Sequence, residues 1–445
     1  MRQGRRTLLG LALMGGIGSM LRVVPAGAAA SWQSALEREL AAVATDPACE
    51  LASLSVLAIR NGKVQYEQQF GRRFIGAGAL ASKPANDRTK YRIASISKMM
   101  TTLGLMMLVE QGKLSLDVDA GGYLGFPLRN PNFPDRLVTL RTLLTHTSSL
   151  RDDAGYSWPA DTALSTILVP GASRYGKGEM WSNKAAPSEY FTYCNLNWGA
   201  IGTIMERVTG ERFDRLMKRL LLAPLGLHGG YNPSEFSAED LSNLATLYRK
   251  RTVDTEVWDA TGPWIPQVDD YSVRPPAPPA GIANYVVGTN ATPFSPTGGL
   301  RISARDMGRV MLMLMNGGVH EGRQILKPAT LERMFARQWT YDGANGDSYR
   351  GFYNAWGIGN QQFPDRVGMQ MVEGGGFSGF GHLGDAYGLR SIFVFDPATR
   401  NGMVVLVGGT SSDPEVQRGR HSSMARYEER IMTAIYQRAI LGKAA

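Results

Sequence analysis

Cysteine and histidine are scarce in this chain of 445 residues, which contains two cysteines and five histidines. Two cysteines, Cys49 and Cys194, cannot build a disulfide framework or a structural zinc site. They could pair in an oxidising compartment, but Cys194 lies in a motif described below and Cys49 precedes the first strand, so we predict free thiols. The histidines are scattered: His146, His228, His320, His382 and His421. None has the partner four residues away that a zinc-binding helix needs, so we predict no metal site.

A dense basic tract is also missing. The formal net charge is +9, but residues 1–30 carry four arginines and no acid, which leaves 44 basic against 39 acidic residues. No basic stripe is interleaved with aromatic residues, so we predict no nucleic-acid partner. After the N-terminal segment, no stretch is apolar over the ~20 residues that a membrane-spanning helix needs.

The N-terminal segment resembles a twin-arginine export signal. Arg5-Arg6-Thr7-Leu8-Leu9 opens a Gly-containing apolar run that extends to Leu21, and small residues at 26–30 offer cleavage sites. A membrane anchor is the alternative, but the run is short and ends before Arg22. We therefore predict that residues 1–30 are an export signal and that the protein is periplasmic or extracellular, without a stable membrane anchor.

The most informative stretch is Arg92-Ile93-Ala94-Ser95-Ile96-Ser97-Lys98, followed by an apolar run to Gly112. Residues 99–109 predict a helix that is apolar nearly all round and therefore buried. Ser95 then lies near the helix N-terminus, and Lys98 follows three residues later over the same face. An ammonium group and the positive end of a helix would both assist a serine nucleophile. The alternative is an ordinary helix start with a Ser cap and a solvated lysine.

The remaining pattern places strands at both ends of the chain and helices in the middle. Predicted helices cover 31–44, 198–208, 213–222, 304–315, 327–337 and 420–440, and predicted strands cover 51–59, 63–70, 367–373, 389–395 and 403–407. Asn61-Gly62 is a strong hairpin signal between the first two strands. We predict an α/β (α+β) fold, in which residues 31–92 and 295–445 form one lobe and residues 93–294 form a mostly helical inserted lobe.

Residues 231–290 form a long excursion without a clear period. The run Pro275-Pro276-Ala277-Pro278-Pro279 within it predicts a semi-rigid surface loop. The length of the excursion suggests a lid or a cleft wall. Residues 373–379 contain a literal G-x-G-x-x-G, but a turn and strand follow it instead of a helix, so it does not predict a dinucleotide site.

Three ordered motifs remain: Ser95-Ile96-Ser97-Lys98, Tyr193-Cys194-Asn195 and His382-Leu383-Gly384. Together they resemble the Ser-x-x-Lys, Tyr-x-Asn and Lys-Thr-Gly elements of the penicillin-recognising serine hydrolases of the class C β-lactamase type. That family includes D-Ala-D-Ala peptidases, D-aminopeptidases and carboxylesterases. The similarity extends from about Leu51 to Thr410 and implies an antiparallel sheet flanked by helices plus a helical lobe.

The resemblance implies a role for each matched position. Ser95 would be the nucleophile, with Lys98 and Tyr193 as acid/base groups. The pKa of Tyr193, ordinarily about 10, would have to be lowered by nearby cations for its oxygen to act as a base. Asn195 would bind the acyl part of the substrate and hold Lys98, while the backbone N–H groups of Ser95 and Asp385 would form the oxyanion hole.

Two further positions complete the implied site. Gly384 would line the substrate strand beside His382, which replaces the lysine of the family motif.

His146, in the turn Thr145-His146-Thr147, could be a general base, but we favour a structural role that ties loops together by hydrogen bonds. Cys194 takes the middle position of Tyr-x-Asn, and its side chain should point away from the site.

The resemblance implies an exported serine hydrolase that cleaves an ester or amide through an acyl-enzyme on Ser95, with no cofactor. The partner would be a small-molecule, peptide or ester substrate. Because a neutral imidazole at His382 binds carboxylates less strongly than lysine does, we expect uncharged acyl donors to be preferred. One alternative is a true β-lactamase or D-Ala-D-Ala carboxypeptidase. The other, from a different class, is a non-catalytic binding or regulatory protein on the same fold.

Overall fold

Most strands of the described chain lie in two groups, one near each end, and a helix lies outside each group. The computed structural model of the protein describes residues 26–443. Its strands, in chain order, are β1 Ser53–Arg60, β2 Lys63–Phe74, β3 Lys83–Pro84, β4 Lys90–Arg92, β5 Gly229–Gly230, β6 Leu247–Lys250, β7 Trp264–Val268, β8 Arg301–Ser303, β9 Val319–His320, β10 Arg323–Gln324, β11 Trp339–Thr340, β12 Ala355–Trp356, β13 Gln361–Phe363, β14 Gly379–Ala386, β15 Leu389–Asp396, β16 Asn401–Val407 and β17 Gly409–Thr410.

The α-helices fall mainly between these two groups of strands. They are α1 Ala26–Ala44, α2 Ile96–Glu110, α3 Ala120–Leu124, α4 Leu140–Leu144, α5 Ser165–Leu168, α6 Leu196–Thr209, α7 Phe213–Met217, α8 Ala238–Ser242, α9 Ala304–Met315, α10 Pro328–Phe335 and α11 Arg426–Ile435. Two of them continue as π-helical turns, α7 into Lys218–Leu222 and α11 into Tyr436–Ile440.

A nine-stranded antiparallel sheet organises the fold, with strand order β11-β12-β13-β14-β15-β16-β1-β2-β3. Its central strands are buried on both faces, because helices cover each side. On one face, Leu57 and Ile59 of β1 belong to the same apolar core as α2 and α9. On the other face, Leu54 and Val56 pack in a second core with α1 and α11. The predicted antiparallel sheet flanked by helices is therefore confirmed.

The β1–β2 hairpin forms where the sequence predicted it. Asn61 and Gly62 have φ values of 50° and 72°, as a two-residue hairpin turn of this type requires. The second strand extends to Phe74, four residues beyond the predicted end. No helix among residues 26–443 is long and apolar enough to cross a bilayer. The predicted export signal falls largely on residues 1–25, outside the described residues, and α1 begins at Ala26 instead of at the predicted Ser31.

The excursion at 231–290 is anchored by sheet pairing. Strand β6 pairs with β7 and runs parallel to β17, which directly follows the last strand of the large sheet. Most of the proline-rich residues 275–279 are exposed, as predicted for a surface loop.

Two predicted elements differ from the structure. Residues 367–373 form turns and bends instead of a strand. The apolar residues Met371 and Val372, which suggested a strand, are instead buried from a loop, in the core that contains α1 and α11. The last helix begins at Arg426 instead of Arg420. The carboxylate of Glu429, in its first turn, accepts hydrogen bonds from the backbone N–H groups of residues 420–422 and so holds that segment outside the helix.

Candidate active site

Ser95 lies at the point where the chain passes from β4 into α2. Ala94 has φ 47°, in the left-handed region, and this sharp turn directs the chain into the helix. Ser95 occupies the N-cap position, yet its side chain makes no capping hydrogen bond. Helix α2 is buried almost all round, including Lys98. An ordinary capped helix start with a solvated lysine does not describe this site.

The ammonium group of Lys98 lies at the centre of a hydrogen-bond network. Its Nζ is 3.0 Å from Ser95 Oγ, 2.8 Å from Asn195 Oδ1 and 3.1 Å from the carbonyl oxygen of Thr297. The hydroxyl of Thr297 also donates to Asn195 Oδ1, at 2.8 Å. The two predicted motifs Ser-x-x-Lys and Tyr-x-Asn are therefore in direct contact.

Burial changes the protonation of Lys98. Removal from water lowers the pKa of Lys98 to about 7, while the negative charge of Asp152 opposes the shift. A lysine with this pKa is partly neutral at physiological pH, so its nitrogen can accept a proton. That property is what a general base for Ser95 requires.

Tyr193 is held rigidly beside Ser95. Its ring stacks on His146, with centroids 4.4 Å apart, and on Tyr353, with centroids 4.8 Å apart. Burial raises the pKa of Tyr193, although hydrogen bonding to Ser95 acts in the opposite direction. Desolvation of the phenolate therefore moves the pKa of Tyr193 in the direction opposite to the one that a base at this position would require.

Asp152 completes the network and is not among the site residues predicted from the sequence. Its carboxylate accepts hydrogen bonds from the backbone N–H of Asn195 and of Leu196, both at 2.9 Å, and thus holds the start of α6. It also accepts from Asn195 Nδ2 at 2.8 Å, which leaves Oδ1 of the same amide facing Lys98. Asp152 therefore fixes the orientation of the amide that holds the lysine. Its sequence context, Leu150-Arg151-Asp152-Asp153, carries no signal that distinguishes it from a surface acid.

His146 has the structural role that we favoured. It is buried, and its Nδ1 accepts a hydrogen bond from the backbone N–H of Cys194 at 2.9 Å. Burial and the charge of Lys98 hold the pKa of His146 well below its usual range, so the imidazole is neutral. It ties the Thr145–Thr147 turn to the Tyr193 motif. Cys194 and Cys49 are both free and buried, as predicted.

Strand β14 passes directly alongside Ser95. A Cβ atom on Gly384 would lie 2.6 Å from the carbonyl oxygen of Ile93 and 3.2 Å from the backbone nitrogen of Ser95. No side chain fits in this gap, which explains the glycine. The next residue, Asp385, lines the pocket next to Ser95 and forms a 3.4 Å ion pair with Arg390.

His382 is buried and packs against Trp356, with ring centroids 5.3 Å apart. Its Nδ1 lies 2.5 Å from the carbonyl oxygen of Leu383. Burial and the charge of Lys98 lower the pKa of His382 to about 3. A neutral, buried imidazole takes the position of the lysine in the matched motif, and His382 is not among the residues that line the pocket.

The pocket in front of Ser95 has a volume of about 530 Å³. That size suits a small organic ligand. Besides Ser95, its walls include Arg92, Tyr156, Tyr193, Asn195, Pro293, Gly298, Tyr353, Gly384 and Tyr387. None of the excursion at 231–290 lines it, so the expectation that this segment is a wall of the cleft is wrong for this pocket. In the described part of the chain, no group of His, Cys, Asp and Glu side chains is arranged to hold a metal ion.

A family profile described as Beta-lactamase matches residues 35–425. The chain belongs to the beta-lactamase family. Protein flp of Staphylococcus aureus (strain N315) is 30% identical over 171 residues, a stretch that covers 38% of this chain and 33% of that protein. The aligned region thus spans about a third of the curated relative.

Solved structures share the fold over nearly the whole chain. The octameric penicillin-binding protein homologue from Pyrococcus abyssi superposes with a TM-score of 0.62 at 23% identity, over 92% of this chain and 77% of that chain. The D-amino acid amidase from Ochrobactrum anthropi SV3 gives a TM-score of 0.60 at 19% identity, over 91% of this chain and 99% of that chain. At these identities the likeness establishes the fold.

The Asp152 network predicts a shift in pH dependence. Because the charge of Asp152 raises the pKa of Lys98, Asp152→Asn should lower it. The acid limb of kcat/KM, which we expect near pH 7, should then move to lower pH. The rate at the optimum should fall on the order of tenfold to a hundredfold, because the amide of Asn195 loses its fixed orientation.

Asp153→Asn is the matched control, since Asp153 is the exposed neighbouring acid. It should leave both the limb and the rate near those of the unmodified protein. An Asp152→Asn profile with an unmoved acid limb would contradict the proposed coupling between Asp152 and Lys98.

Proposed function

We propose that this protein is a serine hydrolase that cleaves an ester or amide through an acyl-enzyme on Ser95. The observation that supports this most directly is the position of Lys98, buried, with its pKa lowered to about 7 and its Nζ 3.0 Å from Ser95 Oγ. A binding protein has no need for this arrangement, because a buried amine with a lowered pKa is costly to maintain.

The hydrogen bonds of Lys98 define which way the proton moves. Two of its contacts, Asn195 Oδ1 and the carbonyl oxygen of Thr297, can only accept hydrogen bonds. A neutral amine gives its two N–H groups to these acceptors, and its lone pair then faces Ser95 Oγ. Lys98 takes the hydroxyl proton while Ser95 Oγ bonds to the substrate carbonyl carbon. The resulting oxyanion is held by the backbone N–H groups of Ser95 and Asp385.

Tyr193 is suited to carry the proton onward. Its raised pKa keeps the phenol protonated, so it can donate to the leaving group as the bond from the carbonyl carbon breaks. Lys98 then returns a proton to the phenolate. In the second half of the reaction a water molecule attacks the acyl-enzyme by the same steps, which releases the acid and restores Ser95.

The twin-arginine-like sequence at residues 1–30 supports export as a further part of this proposal. The enzyme would then act on a substrate outside the cytoplasm.

Covalent labelling tests the assignment of the nucleophile. A fluorophosphonate probe should label the protein, and Ser95→Ala should abolish both labelling and turnover. The melting temperature should stay within a few degrees, because the Ser95 side chain makes no capping hydrogen bond and even a capping serine contributes only ~1 kcal/mol. Ser157→Ala, which changes another serine of the same pocket, should still be labelled. A Ser95→Ala protein that forms the adduct at the original rate would overturn the proposal.

Tyr193→Phe separates proton transfer from packing, because the stacked ring is kept and only the hydroxyl is lost. We expect kcat to fall by ~10² or more, the usual scale for losing a general acid or base. Tyr349→Phe is a suitable control, since Tyr349 is half exposed and contacts the edge of Tyr353. An unchanged rate in Tyr193→Phe, with normal melting, would leave Tyr193 a purely structural role.

The state of His382 predicts poor β-lactam turnover. β-Lactams and D-Ala-D-Ala peptides carry a carboxylate that a lysine in the family motif would help to bind, whereas His382 is buried, neutral and absent from the pocket wall. The unmodified enzyme should therefore hydrolyse short p-nitrophenyl esters with a higher kcat/KM than nitrocefin at pH 8. Faster turnover of nitrocefin would favour the alternative, a true β-lactamase or D-Ala-D-Ala carboxypeptidase.

A further inference from the structure

Arg92 is a guanidinium group in the catalytic pocket that the proposed reaction leaves unused. It precedes Ser95 by three residues and lines the same pocket. Its Nε donates to the carbonyl oxygen of Gly298 at 3.2 Å, and its guanidinium carbon lies 4.8 Å from the ring centroid of Tyr387. These two contacts hold the group in place. Within residues 26–443, neither terminal nitrogen of Arg92 has a hydrogen-bond or ion-pair partner.

The charge of Arg92 is not balanced by a carboxylate of its own. The acid whose field acts on Arg92 is Asp269, which is buried and bound to Arg301 by two hydrogen bonds, Nε–Oδ2 at 3.0 Å and Nη2–Oδ1 at 2.8 Å. Arg301 makes a further hydrogen bond to the carbonyl oxygen of Gly299 at 2.8 Å, and is fully engaged. Two guanidinium groups therefore share one carboxylate, and the unshared positive charge lies at the pocket wall.

Arg92 and His382 lie toward opposite ends of strand β14. His382 is near the start of β14, beside Tyr193 and Trp356, whereas Tyr387, which contacts Arg92, follows the last residue of that strand. His382 and Ala386 are four residues apart, roughly 13 Å at the rise of an extended strand. Ser95 lies between the two ends, opposite Gly384. Tyr193, which protonates the leaving group in the proposed reaction, lies at the His382 end. The acyl chain would then extend the other way, toward Arg92.

We propose that Arg92 binds a carboxylate carried on the acyl part of the substrate, an inference that rests on the proposed function. The planar fork of a guanidinium, with two free terminal nitrogens, matches the two oxygens of a carboxylate. Partial burial in the pocket strengthens such a pair relative to one in water. The preference for uncharged groups that we expect from His382 then applies only to the leaving-group side of the substrate. On the acyl side, Arg92 favours a negative charge.

Matched substrates test this directly. We would use the mono-p-nitrophenyl esters of adipic, pimelic and suberic acid, whose free carboxylates do not close a five- or six-membered anhydride ring. Each is compared with the ester in which the free acid is replaced by a primary amide. The unmodified enzyme should show a kcat/KM for the acid that exceeds that of the amide by about tenfold at the best chain length, the factor expected for a charged against a neutral hydrogen bond. Arg92→Gln should remove this preference, and Arg92→Lys should retain part of it.

Arg350→Gln is the control for charge alone. Arg350 is an exposed arginine of the neighbouring cavity that pairs with Glu415 at 3.1 Å. Its loss should leave the acid-to-amide ratio intact. No acid preference at any chain length, an Arg92→Gln enzyme that keeps it, or an equal loss in Arg350→Gln would each overturn the proposal. If Arg92→Gln does not fold, Arg92→Lys decides, since an undiminished preference there would also overturn it.

Binding separates this inference from the proposed function. Calorimetry on Ser95→Ala with the same esters should give a dissociation constant about tenfold lower for the acid than for the amide, and the double variant with Arg92→Gln should lose the difference. If the unmodified protein neither turns over an ester nor reacts with the fluorophosphonate, the proposed function fails, while this binding difference still decides the role of Arg92.

Discussion

The burial of one amino group is the constraint on which the site depends. Lys98 is fully enclosed because helix α2 is buried almost all round. An enclosed ammonium without partners would be very unfavourable, so Asn195, the carbonyl oxygen of Thr297 and the charge of Asp152 are arranged around it. Each partner comes from a different segment. Helix α6 packs against α2, and β8 pairs with β4, the strand that leads into α2. The same burial that makes the charged form of Lys98 unfavourable lowers its pKa to about 7, so that the amine can act as a base.

Much of the fold could be predicted because its signals are local. Asn61-Gly62 defines the hairpin through backbone conformation alone, and the continuous apolar run after Lys98 identifies a buried helix. Ser95 and Lys98 are three residues apart on one helix, so their contact needs no tertiary information. Residues 367–373 were predicted wrongly because Met371 and Val372 are buried singly from a loop, and a short apolar run does not distinguish this from a strand.

The remainder of the site depends on contacts between distant segments. Asp152 reaches Asn195 across 43 positions in sequence, and nothing in its neighbourhood sets it apart from Asp153. The sign of the Tyr193 pKa shift depends on whether burial or nearby charge dominates, which only the packed structure determines. Arg92 is equally ordinary in sequence. Its unshared charge becomes evident only when Asp269 is seen to be bound to Arg301.

The order of strands in the large sheet has a consequence for how the protein folds. Strand β1, inside the large sheet, pairs with β16, so that Leu54 is opposite Val407, which lies 353 positions later in the sequence. The first hairpin therefore has no neighbour on its inner edge until β16 has also left the ribosome. Because such long-range pairing closes a very large loop, we expect the large sheet to be completed late and slowly. During that interval the exposed edge of β1 is open to association with other chains.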